Sequence, residues 1–338
     1  MNILMAFWSY ADDAELERGM LNSGDELLLK RLIPGEKLQL NEEEKQRVDA
    51  LVNYSAVEKL PFPPSDFPNC RIAVRAGVGF DNLDGEAWGK RAVPVCNIPD
   101  YGTTEVADHA IALMLALTRG IAPYHRMLSK APREGWRFAE APLVRRLRGT
   151  VFGVIGMGRI GMATALRAKA FGMKVLFYDP HLPSGIELSL GFERALELKS
   201  LVANADVLSI HAPLDQSTAG LVNRDLLGMS KRGQILINTA RGPIVDLDAV
   251  MESLQSGQLG GAGLDVLPEE PANLSHPLIK SYHEEASWLE GRLILTPHAA
   301  FYSPSSVEDL RRKSFEVVQN YLTKKILMNC VNSAFLSN

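Results

Sequence analysis

Between the apolar run Val151-Phe152-Gly153-Val154-Ile155 and a helical stretch through Leu166 and Ala170 stands Gly156-Met157-Gly158-Arg159-Ile160-Gly161. A strand that turns straight into a helix through three glycines at this spacing has few folds open to it. Gly156 permits the tight turn, Gly158 leaves the backbone open to a pyrophosphate, and Gly161 lets helix and strand pack closely. The helix N-terminus adds amide donors and the positive end of its dipole. Glycine-rich turns also serve purely structural ends, so the flanking sequence decides. A second strand candidate, Lys174 to Tyr178, ends on Asp179, about twenty residues on, where an acid meets the adenosine ribose hydroxyls. Its carboxylate would repel a 2′-phosphate, and Pro180 and His181 follow where an arginine would be needed. NAD is the expected cofactor.

The rest of the chain continues the same alternation of short apolar runs and helical stretches, the pattern of a parallel-sheet α/β protein. Strand candidates in the first hundred residues are Ile3 to Phe7, Ala50 to Val52, Ile72 to Val74 and Val93 to Cys96. A second series comprises Val151 to Ile155, Val175 to Tyr178, Val207 to Ile210, Ile235 to Asn238, Gly263 to Val266 and Leu293 to Leu295. Six strands is the count of a doubly wound dinucleotide domain. Thr103 and Thr104 are candidate caps for a helix running to Arg119, and Ser303 to Lys325 reads as one amphipathic helix. At 338 residues the chain has the length for two domains, each with its own core.

Composition narrows the function classes. A formal charge of -4 argues against a general nucleic-acid binder, and Arg145-Arg146-Leu147-Arg148 reads as a solvated strip. The longest apolar run, Ala110 to Leu117, is too short to span a bilayer, so no membrane partner is expected. Cys70, Cys96 and Cys330 are scattered and odd in number, giving neither a disulfide framework nor a zinc site. Met1 to Trp8 lacks a basic leader and runs into Asp12 and Asp13; it reads as a first strand, and the expected location is cytoplasmic.

Ligands of open α/β sheets bind outside the carboxyl ends of the strands. There this chain places His211-Ala212-Pro213 after Ile210, Thr239-Ala240-Arg241-Gly242 after Asn238, Asp265 after Leu264, and Thr296-Pro297-His298 after Leu295. One polar strand end would be unremarkable; four make a crevice suited to hydride transfer at a carbonyl. Arg241 can polarise the carbonyl and hold a carboxylate through its planar fork. His298 is the natural proton donor, because an imidazole titrates near neutral pH. Glu270 can hydrogen-bond that imidazole and favour its protonated form. His211 is read as shaping the cofactor loop, not as an acid.

On these motifs, with Leu264-Asp265-Val266, Glu270-Pro271 and Thr296-Pro297-His298-Ala299-Ala300, the chain resembles the D-isomer-specific 2-hydroxyacid dehydrogenases over nearly its whole length. Gly79-Phe80-Asp81-Asn82, Leu166 to Gly172, Leu176 to Pro180 and Asn329-Cys330-Val331-Asn332 are most similar to its C-terminal-binding-protein branch. The resemblance implies two Rossmann-like, flavodoxin-like doubly wound domains with a cleft between them. The substrate domain would take residues 1–100 plus 301–338, and the NAD domain 101–300. It implies that Arg241, Glu270 and His298 are catalytic, with His298 as acid/base and Glu270 its partner. Arg75 would meet the substrate carboxylate, helped by the amides of Ala76 and Gly77. Val78, Ile155 to Ile160, Ala212 to Thr218, Thr239 to Arg241, His298 and Ala300 would line the cofactor, and Asp265 would hold its carboxamide. A homodimer acting on a small 2-oxoacid or 2-hydroxyacid, without a metal, is implied as well.

Two departures qualify the resemblance. Phe301 stands where the corepressor members have tryptophan, which puts that substrate contact in question. The stretch from Ala272 to Arg292, with His276, His283 and Trp288, is long and reads as a surface or cleft-rim loop. Two other activities stay open: a corepressor-like NAD(H)-sensing binding protein, and a phosphoglycerate dehydrogenase-type enzyme, for which no basic phosphate group is assignable.

Overall fold

The structure, a computed structural model, describes residues 1–33, 35–138, 141 and 143–336; the last two residues of the tail, 337–338, lie outside them. The chain divides into two compact units, one of Met1–Gly102 with Tyr302–Asn338 and one of Thr103–Phe301.

The first unit is built on five parallel strands: β1 (Asn2–Trp8), β2 (Glu26–Arg31), β3 (Ala50–Asn53), β4 (Ile72–Arg75) and β5 (Val95–Asn97), in the order β2-β1-β3-β4-β5. From Ile3 to Trp8 every residue is buried, the continuous apolar run required of a strand covered on both faces. β2 was not expected: its Leu27-Leu28-Leu29 has no period-two alternation, and as an edge strand it is only half-buried. β5 begins two residues later than Val93. The helix Pro304–Lys324 packs across the unit through Leu310, Phe315, Val318 and Leu322. Ser303 caps its start by accepting from the Ser306 amide, and Lys325 ends it with left-handed backbone.

The second unit carries seven parallel strands: β6 (Val151–Ile155), β7 (Lys174–Tyr178), β8 (Glu193–Arg194), β9 (Val207–Ile210), β10 (Gln234–Asn238), β11 (Leu259–Leu264) and β12 (Leu293–Leu295). Their order is β12-β11-β10-β9-β6-β7-β8, so the winding reverses between β6 and β9. Alternate residues serve opposite faces. Phe152, Val154, Ile235 and Ile237 join one apolar cluster with Leu113 and Met114, while Ile155 and Leu236 join another with Leu201, Val250 and Leu254.

Three expectations for this unit need correction. β8 is a seventh, two-residue edge strand with no readable pattern. The strand expected at Gly263 to Val266 is β11, which starts at Leu259 and ends at Leu264. Its Leu-Gly-Gly-Ala-Gly-Leu sequence hides it, because the glycines are there to admit close neighbours. A Cβ at Gly261 would lie 2.4 Å from a methyl of Leu143, and one at Gly260 would lie 2.8 Å from the Gly233 carbonyl. Thr103 and Thr104 fall inside the helix Thr103–Thr118 and do not cap it.

Candidate active site

The glycine turn sits where the winding reverses, which is where doubly wound sheets open a crevice for a dinucleotide. Its three glycines are required for three different reasons. Gly156 has φ +86°, and a Cβ there would meet the Ala212 amide nitrogen at 2.7 Å, so the loops after β6 and β9 touch. At Gly161 a Cβ would lie 2.1 Å from the Gly156 carbonyl oxygen. Gly158 is exposed and a Cβ there would meet nothing within 4 Å among the described residues, which is the opening a phosphate needs. The helix Arg159–Ala170 starts there with no side-chain cap. Ile155 is buried beneath the turn, while Arg159 is exposed on the first helical turn.

Around that opening, Asp179 accepts hydrogen bonds from the Met157 amide (2.9 Å) and the His181 amide (2.9 Å), which fix its carboxylate beside the turn. Thr239, after β10, keeps a buried hydroxyl with no partner among the described residues, a polar atom that a bound ligand would satisfy. The Thr218 hydroxyl accepts from the Asp215 amide and donates to the Pro213 carbonyl, tightening the Ala212–Thr218 turn. His211 pairs through Nε2 with the Ser209 hydroxyl at 2.8 Å. Burial pulls its pKa down to about 3, so it is neutral and structural. The donor set and the open cradle suit a dinucleotide.

At the other end of the sheet edge, His298 Nδ1 lies 2.7 Å from Glu270 Oε2, and both side chains are about one-fifth exposed. A carboxylate only accepts, so Nδ1 carries the hydrogen and Nε2 is the nitrogen left for proton exchange. Glu270 is fixed in turn by the Leu267 amide, which donates to Oε1 at 2.9 Å. Burial pushes the Glu270 carboxyl up, but the His298 hydrogen bond and charge, the Leu267 amide and the Arg241 charge outweigh it and hold it below the usual carboxylate range. Arg241 follows β10 on a loop clamped by buried Asn238, which accepts from the Ala240 amide and donates to the Arg241 carbonyl. Arg241 Nη1 donates to the Ala240 carbonyl at 2.9 Å. A Cβ at Gly242 would fall 1.9 Å from Leu267, so this glycine lets the Arg241 and Glu270 loops approach.

His298 has φ +52°, a left-handed backbone rare outside glycine. The group that holds it there is Asp265. Its carbonyl accepts from the His298 amide at 2.8 Å, and its carboxylate accepts from the Ala299 and Ala300 amides and the Thr296 hydroxyl at 2.9, 3.0 and 2.6 Å. Asp265, expected at a carboxamide, is thus buried and engaged within the protein. Behind it stands His109, which the sequence reading missed: Nε2 is 3.0 Å from the Thr296 hydroxyl and 3.7 Å from Asp265. Because that hydroxyl gives its proton to Asp265, Nε2 must be the donor. The signal was a histidine beside Asp108 at the start of the apolar stretch of its helix. Phe301 meets the His298 ring edge-on, with centroids 6.5 Å apart.

The remaining substrate candidates belong to the first unit. Arg75, at the end of β4, is buried; its guanidinium donates to the Ala76 carbonyl and lies across Gly77, where a Cβ would sit 1.3 Å from Nη1. Gly77, with φ +152°, is therefore the seat of that guanidinium. The Ala76 amide donates to the Asn53 carbonyl at 2.9 Å, extending the β3–β4 ladder by one step, so it is not open to a ligand. The Gly77 carbonyl accepts from Ile98 and the Val78 carbonyl from Asn97. The stretch 272–292 is not a plain loop. It forms a helix, Pro277–His283, whose Leu278 and Ile279 are buried, and Trp288 packs on the core. His276 caps that helix through Nδ1 and pairs with Asp248 at 3.2 Å, which gives it a structural task.

Comparison with known proteins places this geometry in a family. Residues 111–300 match the model of the D-isomer specific 2-hydroxyacid dehydrogenase NAD binding domain. A glyoxylate reductase from Korarchaeum cryptofilum is 37% identical over 259 residues, 75% of this chain and 73% of the relative. The solved D-lactate dehydrogenase from Aquifex aeolicus, complexed with NAD and lactic acid, superposes with a TM-score of 0.82 at 27% identity, covering 98% of this chain and 99% of that one. An NADPH-dependent glyoxylate/hydroxypyruvate reductase from Sinorhizobium meliloti, with NADP and malonate, gives 0.82 at 29% identity, covering 99% and 97%. On the family match over residues 111–300 and the 37% identity to the glyoxylate reductase, the chain belongs to the D-isomer-specific 2-hydroxyacid dehydrogenase family.

Proposed function

We propose that the protein reduces a small 2-oxoacid to its D-2-hydroxyacid, and runs the reverse reaction, with His298 as acid/base. The observation that carries this is the 2.7 Å His298–Glu270 pair on a backbone held left-handed by Asp265. When bound, NAD(H) supplies or accepts the hydride at the substrate's second carbon. The chain's own residues do the rest. The fork of Arg241 binds carboxylate and carbonyl oxygen, stabilising the negative charge that grows on that oxygen. His298 Nε2 delivers the proton to it, while Glu270 on Nδ1 stabilises the imidazolium and orients the ring. A panel of glyoxylate, hydroxypyruvate, pyruvate and larger 2-oxoacids assayed with NADH tests the reading. Turnover of none of them would overturn it.

NAD is the preferred cofactor on the strength of Asp179, whose carboxylate is pinned beside the turn by two amides. The expected result is a higher kcat/KM with NADH than with NADPH, narrowed by Asp179→Ala; NADPH preference in the native protein would overturn it. A binding role would rest only on the resemblance to the C-terminal-binding-protein branch, which none of the proteins named above supports; the reductases and the lactate dehydrogenase favour the enzyme. A homodimer is supported by the helix Ile121–Lys130, which buries no residue of its own, and by Trp136 and Phe138 nearby, 79% and 96% exposed. Light scattering at assay concentration checks it.

A further inference from the structure

We propose that Cys96 and Cys330 form an oxidative modification site, a dithiol that a small disulfide converts into a cross-strand disulfide. The two are 234 positions apart in sequence, yet they face each other in an isolated antiparallel bridge between β5 and the tail. The hydrogen bonds identify the kind of pair. The Asn97 amide donates to the Asn329 carbonyl at 3.2 Å, and the Val331 amide donates to the Val95 carbonyl at 2.8 Å. Both bonds flank the cysteines and neither joins them, so Cys96 and Cys330 are the non-hydrogen-bonded pair of the ladder. In such a pair the Cα atoms approach to about 4.5 Å and the side chains leave from the same face. A disulfide spans Cα separations from about 4.4 Å upward, so a pair of this kind lies within the range that one can bridge.

The pair is also asymmetric in a way that orders the chemistry. Cys330 is partly exposed, on a tail segment whose residues 323–329 are all exposed. Cys96 is fully buried, and burial pushes its thiol pKa up to about 12. All three cysteines of the chain are free, and Cys70 lies buried against the Ile72 carbonyl, away from any second thiol. Cys330 thiolate therefore attacks the small disulfide first, forming a mixed disulfide and releasing one thiolate. Cys96 then gives up its proton and attacks Cys330 sulfur, releasing the second thiolate. Two protein thiols are oxidised, and one small disulfide is reduced to two thiols. The second step is slow at neutral pH and accelerates as pH rises, because it draws on the scarce Cys96 thiolate.

The consequence follows from connectivity. The chain leaves the first unit at Gly102 and re-enters it at Tyr302, so a 96–330 bond closes a covalent ring that contains the whole second unit. It also locks a tail now held by Asn332, which accepts from the Val95 amide at 2.7 Å and donates to the Gly85 and Val93 carbonyls.

The test is incubation of the full chain with glutathione disulfide from pH 7 to 9, followed by intact mass and a non-reducing peptide map. The expected result is a glutathione adduct on Cys330 that appears first and then gives way to a species lighter than the reduced protein by two hydrogen atoms. Its map links Cys96 to Cys330, and conversion quickens with pH. Oxidised protein should have a higher Tm and a tail resistant to carboxypeptidase. Cys96→Ser should stop at the adduct, and Cys70→Ser should behave like the native chain. An adduct on native protein that never resolves at pH 9, or a link involving Cys70, would overturn the proposal.

Discussion

Two charged clusters in this molecule are built from the same parts and arranged to opposite ends. In the first unit Arg311 binds Glu17 through Nε and Nη2 at 2.8 and 2.7 Å and Asp12 through Nη1 and Nη2 at 2.6 and 3.1 Å, and its guanidinium stacks over Trp8 and Tyr10. Glu17 has no solvent exposure at all. Those bonds take up four of the five N–H donors of the fork. In the second unit the His298–Glu270 pair is as short, but each partner keeps about a fifth of its surface, one imidazole nitrogen is left over, and the backbone is strained. The Arg311 bonds tie the helix Pro304–Lys324 to the segment that follows β1; the spare nitrogen of His298 leaves a proton to move. A short ion pair is thus a poor guide to function until its spare valences are counted.

The comparison can be broken at its active end first. His298→Ala should lower kcat on the best 2-oxoacid by about 10²–10⁴-fold, with Tm little changed. A kcat within a factor of two of the native value would remove His298 from the reaction. At the structural end, Arg311→Met leaves the buried Glu17 without its partner and should cost roughly 3–5 kcal/mol of unfolding free energy by urea titration. The activity of the folded fraction should be unchanged. A loss of under about 1 kcal/mol would mean the cluster is dispensable packing.

The pH dependence of the two ends should also differ. Burial raises the Asp12 carboxyl, but the Arg311 and Ala14 hydrogen bonds outweigh it and hold it below its usual value. A carboxyl depressed in the folded state stabilises it at any pH above the ordinary value near ~4, and the benefit disappears as pH drops through the lowered value. Native Tm should therefore fall in acid more steeply than that of Arg311→Met; parallel curves would dissociate Asp12 from acid stability. At the active end, Glu270→Gln removes the charge that favours an imidazolium, so the alkaline limb of the reductive kcat/KM profile should move to lower pH. An unmoved limb would take Glu270 out of the proton path.

The smallest effect concerns the support behind the histidine. His109→Leu removes the donor to Thr296 and with it one hydrogen bond, worth ~1 kcal/mol, or about fivefold in kcat at unchanged KM. His109→Gln, which keeps a donor, should recover most of it. Equal losses in both variants would reduce His109 to a space-filling role.

Much of the second unit was legible because its local demands are severe. Gly156 and Gly161 each have a distinct steric reason, Gly158 leaves the turn open, β6 and β7 read as plain apolar runs, and Asp179 follows β7 at the expected spacing. β2, β8 and β11 were missed or misplaced where side-chain pattern is weak: edge strands bury little, and a glycine strand has no side chains to alternate. Asp265 was read from a motif as a ligand contact; what the motif did not give is that its carboxylate also anchors the loop that carries His298.

By itself the sequence determined the α/β class, the dinucleotide turn and the identity of the groups at the strand ends, because backbone conformation and strand periodicity are local properties of a few adjacent residues. Only the tertiary structure decided which of those groups are spent on one another and which remain available. It folded the Ala76 amide into the β3–β4 ladder, put His109 behind Thr296 and Asp265, and set Cys96 opposite Cys330. Each of these depends on contacts between residues distant in sequence, and a hydrogen bond or a thiol pair exists only when the whole chain has brought both partners within a few ångströms.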